Sequence, residues 1–351
     1  MKALRIGYWP LSSNLQAAGD RRRLVFWADS RGHTITQDLH SDIDVIIASE
    51  NSDFNSRIFL ESKIPVVLDL VDSYLTPLNF REDLARGFVK RLTKGLTGPI
   101  KPFSEHVKEF CRNSKIVICS SIEQAAIVRE FNANTHVILD FHEEIPYIDY
   151  SDRIPLKKGN NRILWEGQPA TIGGINQITS TLLELVNKYE IELDLVTDTY
   201  YYKTLNKYFK MDTIDLLRKD LGQISRSCNL ITWSTSNLFD TAAYAKVAMI
   251  PIDLSIPMQS LKPENRLLIM WRMGLPCLTS PSHAYRRVAE AAGVDVICNS
   301  MDEWLQKFGR MLEDPSFRSE QILGGQNYLR ENHNKSILLK KWDAAIESAL
   351  S

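Results

Sequence analysis

The chain has 351 residues, 24 % of them charged and 44 % hydrophobic, with a formal net charge of −1 at pH 7. That length is more than one ordinary core uses, so two domains are expected, and the composition excludes a disordered or fibrous chain. The near-zero charge excludes a whole-molecule attraction to nucleic acid or to an anionic membrane.

In chain order, "LRIGYW" (4–9) reads as a strand and "DRRRLVFWADSRG" (20–32) as a helix with Asp20 as cap and Gly32 as stop. "DVIIAS" (44–49) is a second strand, "SDFNSRIFLESK" a helix, and "IPVVLDLV" (64–71) a third strand. "KIVICSS" (115–121), the helix "SIEQAAIVREFN" (121–132) and the strand "HVILDF" (136–141) follow. Short Val/Ile runs without polar alternation are buried on both faces, as in a parallel sheet covered by helices. The segment 143–161, rich in proline and charge, reads as a linker.

The same rhythm then restarts. "RILWEG" (162–167), "LDLVTD" (193–198), "NLITWS" (229–234), "VAMIPID" (247–253), "PCLTS" and "VDVIC" (294–298) read as strands, with "NQITSTLLELVNKY" (176–189) a helix. The tail from Met301 reads as helical with a break near Gly324 and Gly325. The expected architecture is α/β: two doubly wound Rossmann-like domains facing across a cleft, 1–150 and 151–325, with 326–351 a C-terminal helix returning to the first domain. Ligands bind at the carboxyl ends of such strands. The scattered cysteines 111, 119, 228, 277 and 298 form no C-x-x-C pair, so neither a zinc site nor a disulfide framework is indicated and a reducing cytoplasm is expected. No run approaches the ~20 apolar residues of a bilayer span, and the start lacks a signal peptide's apolar stretch.

"LKPENRLLIMWRMGLPCLTS" (261–280) gathers Lys262, Glu264, Asn265 and Arg266 before an apolar helix. A helix start suits phosphate, because its free N–H groups and positive dipole end face the ligand. Lys262 and Arg266 would add donors, and Glu264 or Asn265 would accept from sugar hydroxyls; a first-turn carboxylate on its own helix is the alternative for Glu264. "GQPATIGGIN" offers Gly167, Gly173 and Gly174 as a second cradle, though paired glycines also make plain turns. Ser234 and His283 each follow a strand of the second half and are further candidates. In "LDLVDSYL" (68–75), Asp69 and Asp72 lie at the end of the third strand; alternation sends them to opposite faces, and Asp72, beyond the strand, is the better general base, with a cap on the following turn as its alternative. "LARGFVKRLTKGL" (84–96) is basic and amphipathic, the pattern of a peripheral membrane contact and equally of a helix covering a sheet.

The run "KPENRLLIMWRMGLPCLTSPSHAYRRVAEAAGVDVIC" resembles the donor domain of GT-B-fold glycosyltransferases, in which a polar cluster opens a helix ending in Gly-x-Pro, here Gly274-Leu275-Pro276. "AAGDRRRLVFWADSRGHTIT" (17–36) is similar to their acceptor-side glycine loop, helix and strand entry. Leu261 and Ile269 stand where family-4 enzymes carry paired glutamates, whereas Lys262, Asn265 and Arg266 match the "Lys…Asn-Arg" opening of surface-polysaccharide enzymes. The resemblance implies a cytoplasmic, metal-independent glycosyltransferase with a nucleotide-sugar donor and a glycan or lipid-linked acceptor, no cofactor and no nucleic-acid partner. A sugar-nucleotide 2-epimerase of similar fold and a non-catalytic nucleotide-sugar-binding protein are the alternatives.

Overall fold

The computed structural model describes residues 2–77, 79–153, 161–203 and 209–351; part of the expected linker, 154–160, lies outside them. The chain divides into two compact units. The first holds Met1–His142, Ile256–Pro263 and Asn334–Ser351, and the second Glu143–Ser255 and Glu264–His333.

The first unit is built on β1 (Arg5–Trp9), β2 (Thr34–Thr36), β3 (Val45–Ser49), β4 (Val66–Leu70), β5 (Ile116–Cys119) and β6 (Thr135–Val137), all parallel in the order β2-β1-β3-β4-β5-β6. Register sets Ile6 beside Val45, and Ile46 beside Val66. Every residue of β3 and β5 is buried, because helices cover both faces. One face packs Ile6, Tyr8, Val45 and Ile47 against Trp27 and against Leu338, Trp342 and Ile346 of the helix Lys335–Leu350. Trp27 and Trp342 stack with ring centroids 5.6 Å apart. The other face packs Ile46, Leu68 and Leu70 against Phe103, Val107 and Phe110 of the helix Phe103–Asn113.

The second unit carries β7 (Arg162–Glu166), β8 (Glu192–Thr197), β9 (Tyr200–Lys203), β10 (Phe209–Asp212), β11 (Cys228–Thr232), β12 (Val247–Ile250) and β13 (Cys277–Thr279). Its sheet is parallel in the order β11-β8-β7-β12-β13, while β9 and β10 form a separate antiparallel pair that the hydrophobic pattern does not foretell. The strand order reverses between β1 and β3 in the first sheet and between β7 and β12 in the second. These are the topological switch points at which open α/β sheets receive ligands.

Several expected elements are shorter. The helix after β3 spans only Arg57–Leu60, and "VDVIC" contributes a single bridge, Thr279 to Ile297. Gly324 and Gly325 do not break the tail: the helix Pro315–Asn332 runs through both. A side chain at Gly325 would meet the Trp271 ring at 2.3 Å, so the glycine serves a close approach between helices. The breaks fall instead at Pro315, which opens this helix behind the Asp314 cap, and at His333.

Candidate active site

In the first unit, the loops leaving β1, β2 and β3 enclose a cavity of about 730 Å³ lined by Tyr8, Trp9, Leu11, Gln37, His40, Asn51 and neighbouring residues. It lies at the β1/β3 switch point. Trp9 is braced by Phe59, ring centroids 5.4 Å apart. On the far side of Tyr8, its hydroxyl donates to Asp20 Oδ1 at 2.6 Å, and Asp20 also accepts from the amides of Leu11 and Ser12, which shapes the loop after β1.

Asp69 and Asp72 have different surroundings. Asp69, in β4, is buried and takes the Arg23 guanidinium at 3.0 and 2.6 Å; Arg23 also reaches Asp140 at 3.1 Å and the Ile138 carbonyl at 2.7 Å. Burial works against the Arg23 charge, and the two carboxylates more than restore it, so its pKa lies above the usual arginine value. Asp69 is thus committed to a core ion pair. Asp72 lies beyond the strand, with its side chain 41 % exposed and 3.8 Å from Lys262 Nζ. Lys262 sits in the first unit, on a segment where the Leu261 carbonyl accepts from Ser121 Oγ at 3.2 Å. Of the polar group 262–266, Lys262 lies beside Asp72 in the first unit, and Glu264, Asn265 and Arg266 belong to the second unit.

Two further groups complete this end of the first sheet: Glu50, which sequence reasoning passed over, and Lys90, which it read only as part of the basic segment 84–96. Glu50 directly follows β3 and is 2 % exposed; burial, and then the charge of Asp72, push its pKa up to about 8. Lys90, on the helix Phe80–Lys94, donates to Asn51 Oδ1 at 2.5 Å and lies over the rings of Tyr74 and Phe103. Burial lowers its pKa, and the nearby Glu50 opposes that. The signal for Glu50 was available: a carboxylate one residue past a buried central strand, the same position relative to its strand that drew attention to Asp72.

In the second unit, Arg266 reaches the loop after β7, donating to the Glu166 carbonyl at 3.3 Å and to Thr171 Oγ1 at 3.4 Å. This is the β7/β12 switch point. Trp233 Nε1 donates to Glu166 Oε1 at 3.0 Å. Asn265 opens the helix Asn265–Arg272, and its buried Oδ1 has no hydrogen-bond partner among the described residues. Glu264 stands at the N-cap position but its side chain makes no capping bond; its two oxygens face Arg287, each at 3.3 Å, in a pair that ties the start of this helix to the middle of the helix His283–Ala292.

The glycines have separate uses. A side chain at Gly174 would strike the Pro251 carbonyl at 2.4 Å, and one at Gly167 would meet Thr171 and the Trp165 ring at 2.8 Å. Gly173 opens onto free space. Ser234 caps the helix Thr235–Tyr244 by accepting from Asn237 N at 3.0 Å. His283 is exposed in the first turn of the helix His283–Ala292.

No protein-family model and no curated protein matches the sequence. Solved structures do match the fold. WaaG, a glycosyltransferase involved in lipopolysaccharide biosynthesis, is 16 % identical, with 97 % of this chain and 98 % of that one covered at a TM-score of 0.55. Sucrose-phosphate synthase from Thermosynechococcus elongatus is 10 % identical, with 97 % and 80 % covered at 0.57. TarM is 10 % identical at 0.58, with 86 % of this chain covered; the chain spans about half of TarM's length, 54 %. At these identities the likeness concerns architecture. The chain has the two-sheet α/β fold of the GT-B glycosyltransferases.

Proposed function

We propose that this protein is a glycosyltransferase that moves a sugar from a nucleotide-sugar donor to a hydroxyl of a glycan or lipid-linked acceptor in surface-polysaccharide synthesis. The observation that carries the reading is that each sheet presents polar groups of the right kind at its switch point. In the second unit, Arg266 and the loop Gly167–Gly173 meet the donor's diphosphate. Both Arg266 contacts are long, so a charged phosphate oxygen competes for the guanidinium on favourable terms. The orphaned Asn265 Oδ1 gains a partner when a donor hydroxyl reaches it, which relieves a cost of roughly 1–3 kcal/mol. Ser234 and His283 are the remaining donor contacts of this reading. Protein groups rather than a metal meet the charge on the leaving phosphate.

In the first unit, the cavity beside Trp9 takes the acceptor, an aromatic face suiting the apolar side of a sugar ring. The acceptor oxygen attacks the anomeric carbon and its proton passes to the Asp72 carboxylate. The bond from that carbon to the diphosphate oxygen breaks, leaving the electron pair on the diphosphate. Lys262, assigned to the donor on sequence grounds, serves here as the counter-charge of Asp72. The helix Phe80–Lys94 brings the protein to the cytoplasmic face of an anionic membrane where a lipid-linked acceptor lies: its exposed Phe88 and Leu92 lie one turn apart on the face that also carries the exposed Arg81.

The neighbours supply the first donors to try, since TarM and a trehalose-phosphate structure contain UDP and UDP-2-fluoro glucose. The test is a panel of nucleotide sugars with EDTA present, read for release of free nucleotide. Transfer or slow donor hydrolysis by the wild type is expected, with Arg266→Ala weakening donor binding at least about tenfold. Asp72→Asn is expected to bind the donor normally and to transfer about 100-fold more slowly. Interconversion of a sugar nucleotide alone would replace the reading by an epimerase, and tight binding without turnover by a binding protein.

A further inference from the structure

Resting on that reading, we propose that Glu50 is the positioning residue of Asp72: it fixes the backbone from which Asp72 projects, and it decides how much charge surrounds the base. β3 and β4 are adjacent and in register, Ser49 beside Asp69, so Glu50 and the segment Val71–Asp72 leave the sheet side by side. Glu50 Oε2 accepts from the Val71 amide at 3.3 Å. The other backbone groups of this segment are also held. The Val71 carbonyl accepts from Ser120 Oγ at 2.7 Å, and the Asp72 carbonyl accepts from Gln124 Nε2 at 3.1 Å and from the Tyr74 amide at 3.0 Å. Gln124 is itself fixed, its Oε1 accepting from Ser120 N at 2.8 Å. With the backbone anchored at these points, the Asp72 side chain is what remains to face solvent, and such anchoring is what holds a reacting group in place.

The second half of the proposal concerns charge. A carboxyl as buried as Glu50 keeps its proton unless a cation compensates for the lost water. Lys90 faces it from the helix Phe80–Lys94, and Tyr8 and Tyr74 face it with un-ionised hydroxyls. Asp72 is the nearby anion, with Lys262 beyond it and Arg86 over the Tyr74 ring. Below about pH 8 Glu50 is neutral, and Asp72 is the carboxylate that draws on Lys90 and Lys262. Above it a second anion appears near Asp72 and competes for Lys90.

Glu50→Gln and Glu50→Ala separate these roles. Glutamine keeps a carbonyl for the Val71 amide and cannot ionise; alanine loses both. The wild-type kcat profile is expected to bend near pH 8, and Glu50→Gln to lack that bend. Glu50→Ala is expected to lower kcat at least about tenfold, with Glu50→Gln recovering most of the loss and the donor KM unchanged in both. Superimposable wild-type and Glu50→Gln profiles would overturn the proposal, as would an undiminished kcat in Glu50→Ala. A second readout needs no turnover. Folded Glu50 holds its proton above the pH at which an unfolded glutamate releases it, so wild-type stability falls as pH rises between those two values. The melting temperature of Glu50→Gln relative to wild type is therefore expected to climb from pH 5 to pH 8. A flat difference overturns the assignment of Glu50 whatever the activity; a climbing one with no transfer from any nucleotide sugar counts against the transferase reading instead.

Discussion

Arg23 shows how residues of one chemical type divide between structure and function. Its side chain is fully buried, and within the first unit Asp69, Asp140 and the Ile138 carbonyl take up its N–H groups. Taking two charges out of water is costly, and removing one partner leaves the other buried and uncompensated. Arg23→Ala is accordingly expected to lower unfolding free energy by roughly 3–5 kcal/mol in urea titration. Replacing Arg23 and Asp69 together with Met and Leu should recover only part of that: the Arg23–Asp69 pair goes as a unit, but the buried Asp140 carboxylate loses the guanidinium as well. Asp72→Asn, exposed and beyond the strand, should leave the urea midpoint in place. A large shift for Asp72→Asn, or none for Arg23→Ala, would reverse the roles given to these residues. Alternation along the third strand was enough to separate Asp69 from Asp72. It could not reveal that Asp69's partner lies 46 residues away in the chain, since ion pairs of that kind leave no local pattern.

Elements were legible where their signal is local. Fully apolar runs marked the parallel strands β3, β5 and β12, and Gly32 marked a helix stop, where it adopts a left-handed φ of 69°. The glycine pair at 324 and 325 misled for a physical reason: glycine weakens a helix by its freedom, yet it also permits contact that no other residue allows. Gly325→Ala puts a methyl group into the ring of the fully buried Trp271, and the overpacking is expected to cost roughly 1–3 kcal/mol. Gly173→Ala, with open space around it, is the matched control and should not destabilise the fold. The helix Phe80–Lys94 carries the other ambiguity of the sequence. Its inner face buries Asp83 and Gly87, and Asp83 accepts from Ser104 Oγ at 2.5 Å; its outer face leaves Phe88 45 % and Leu92 65 % exposed. The inner side packs as a covering helix does, and the outer side is where the membrane reading is put to the test. Phe88→Glu with Leu92→Glu is expected to abolish sedimentation with vesicles containing anionic lipid and to leave the melting temperature within about 2 °C. Equal sedimentation of variant and parent would remove this helix from any membrane role.

At the scale of the whole chain, the units are not consecutive stretches. The backbone passes between them after His142, Ser255, Pro263 and His333. Composition and rhythm show two α/β halves, but a short return such as Ile256–Pro263 has no signature of its own, so the placement of Lys262 was out of reach of the sequence. The last passage has the largest energetic consequence. The helix Lys335–Leu350 covers one face of the first sheet with Leu338, Leu339, Trp342 and Ile346, all buried in that unit's core. Each such side chain contributes roughly 1.5–3 kcal/mol on burial, so together they approach the roughly 5–15 kcal/mol that keeps a domain folded. Ending the chain after His333 also uncovers Trp27 and exposes the Arg23 network, whose guanidinium lies 5.9 Å from the Trp342 ring centre. In hydrogen exchange of that truncated chain, the amides of β1 and β3 should lose their protection while those of β7 and β8 keep theirs. The reason is that the residues removed come last in sequence yet belong to the core that begins at Leu4. Protection lost equally from both sheets would mean that the units fold as one, and protection retained in both would mean that this helix contributes far less than its buried surface indicates.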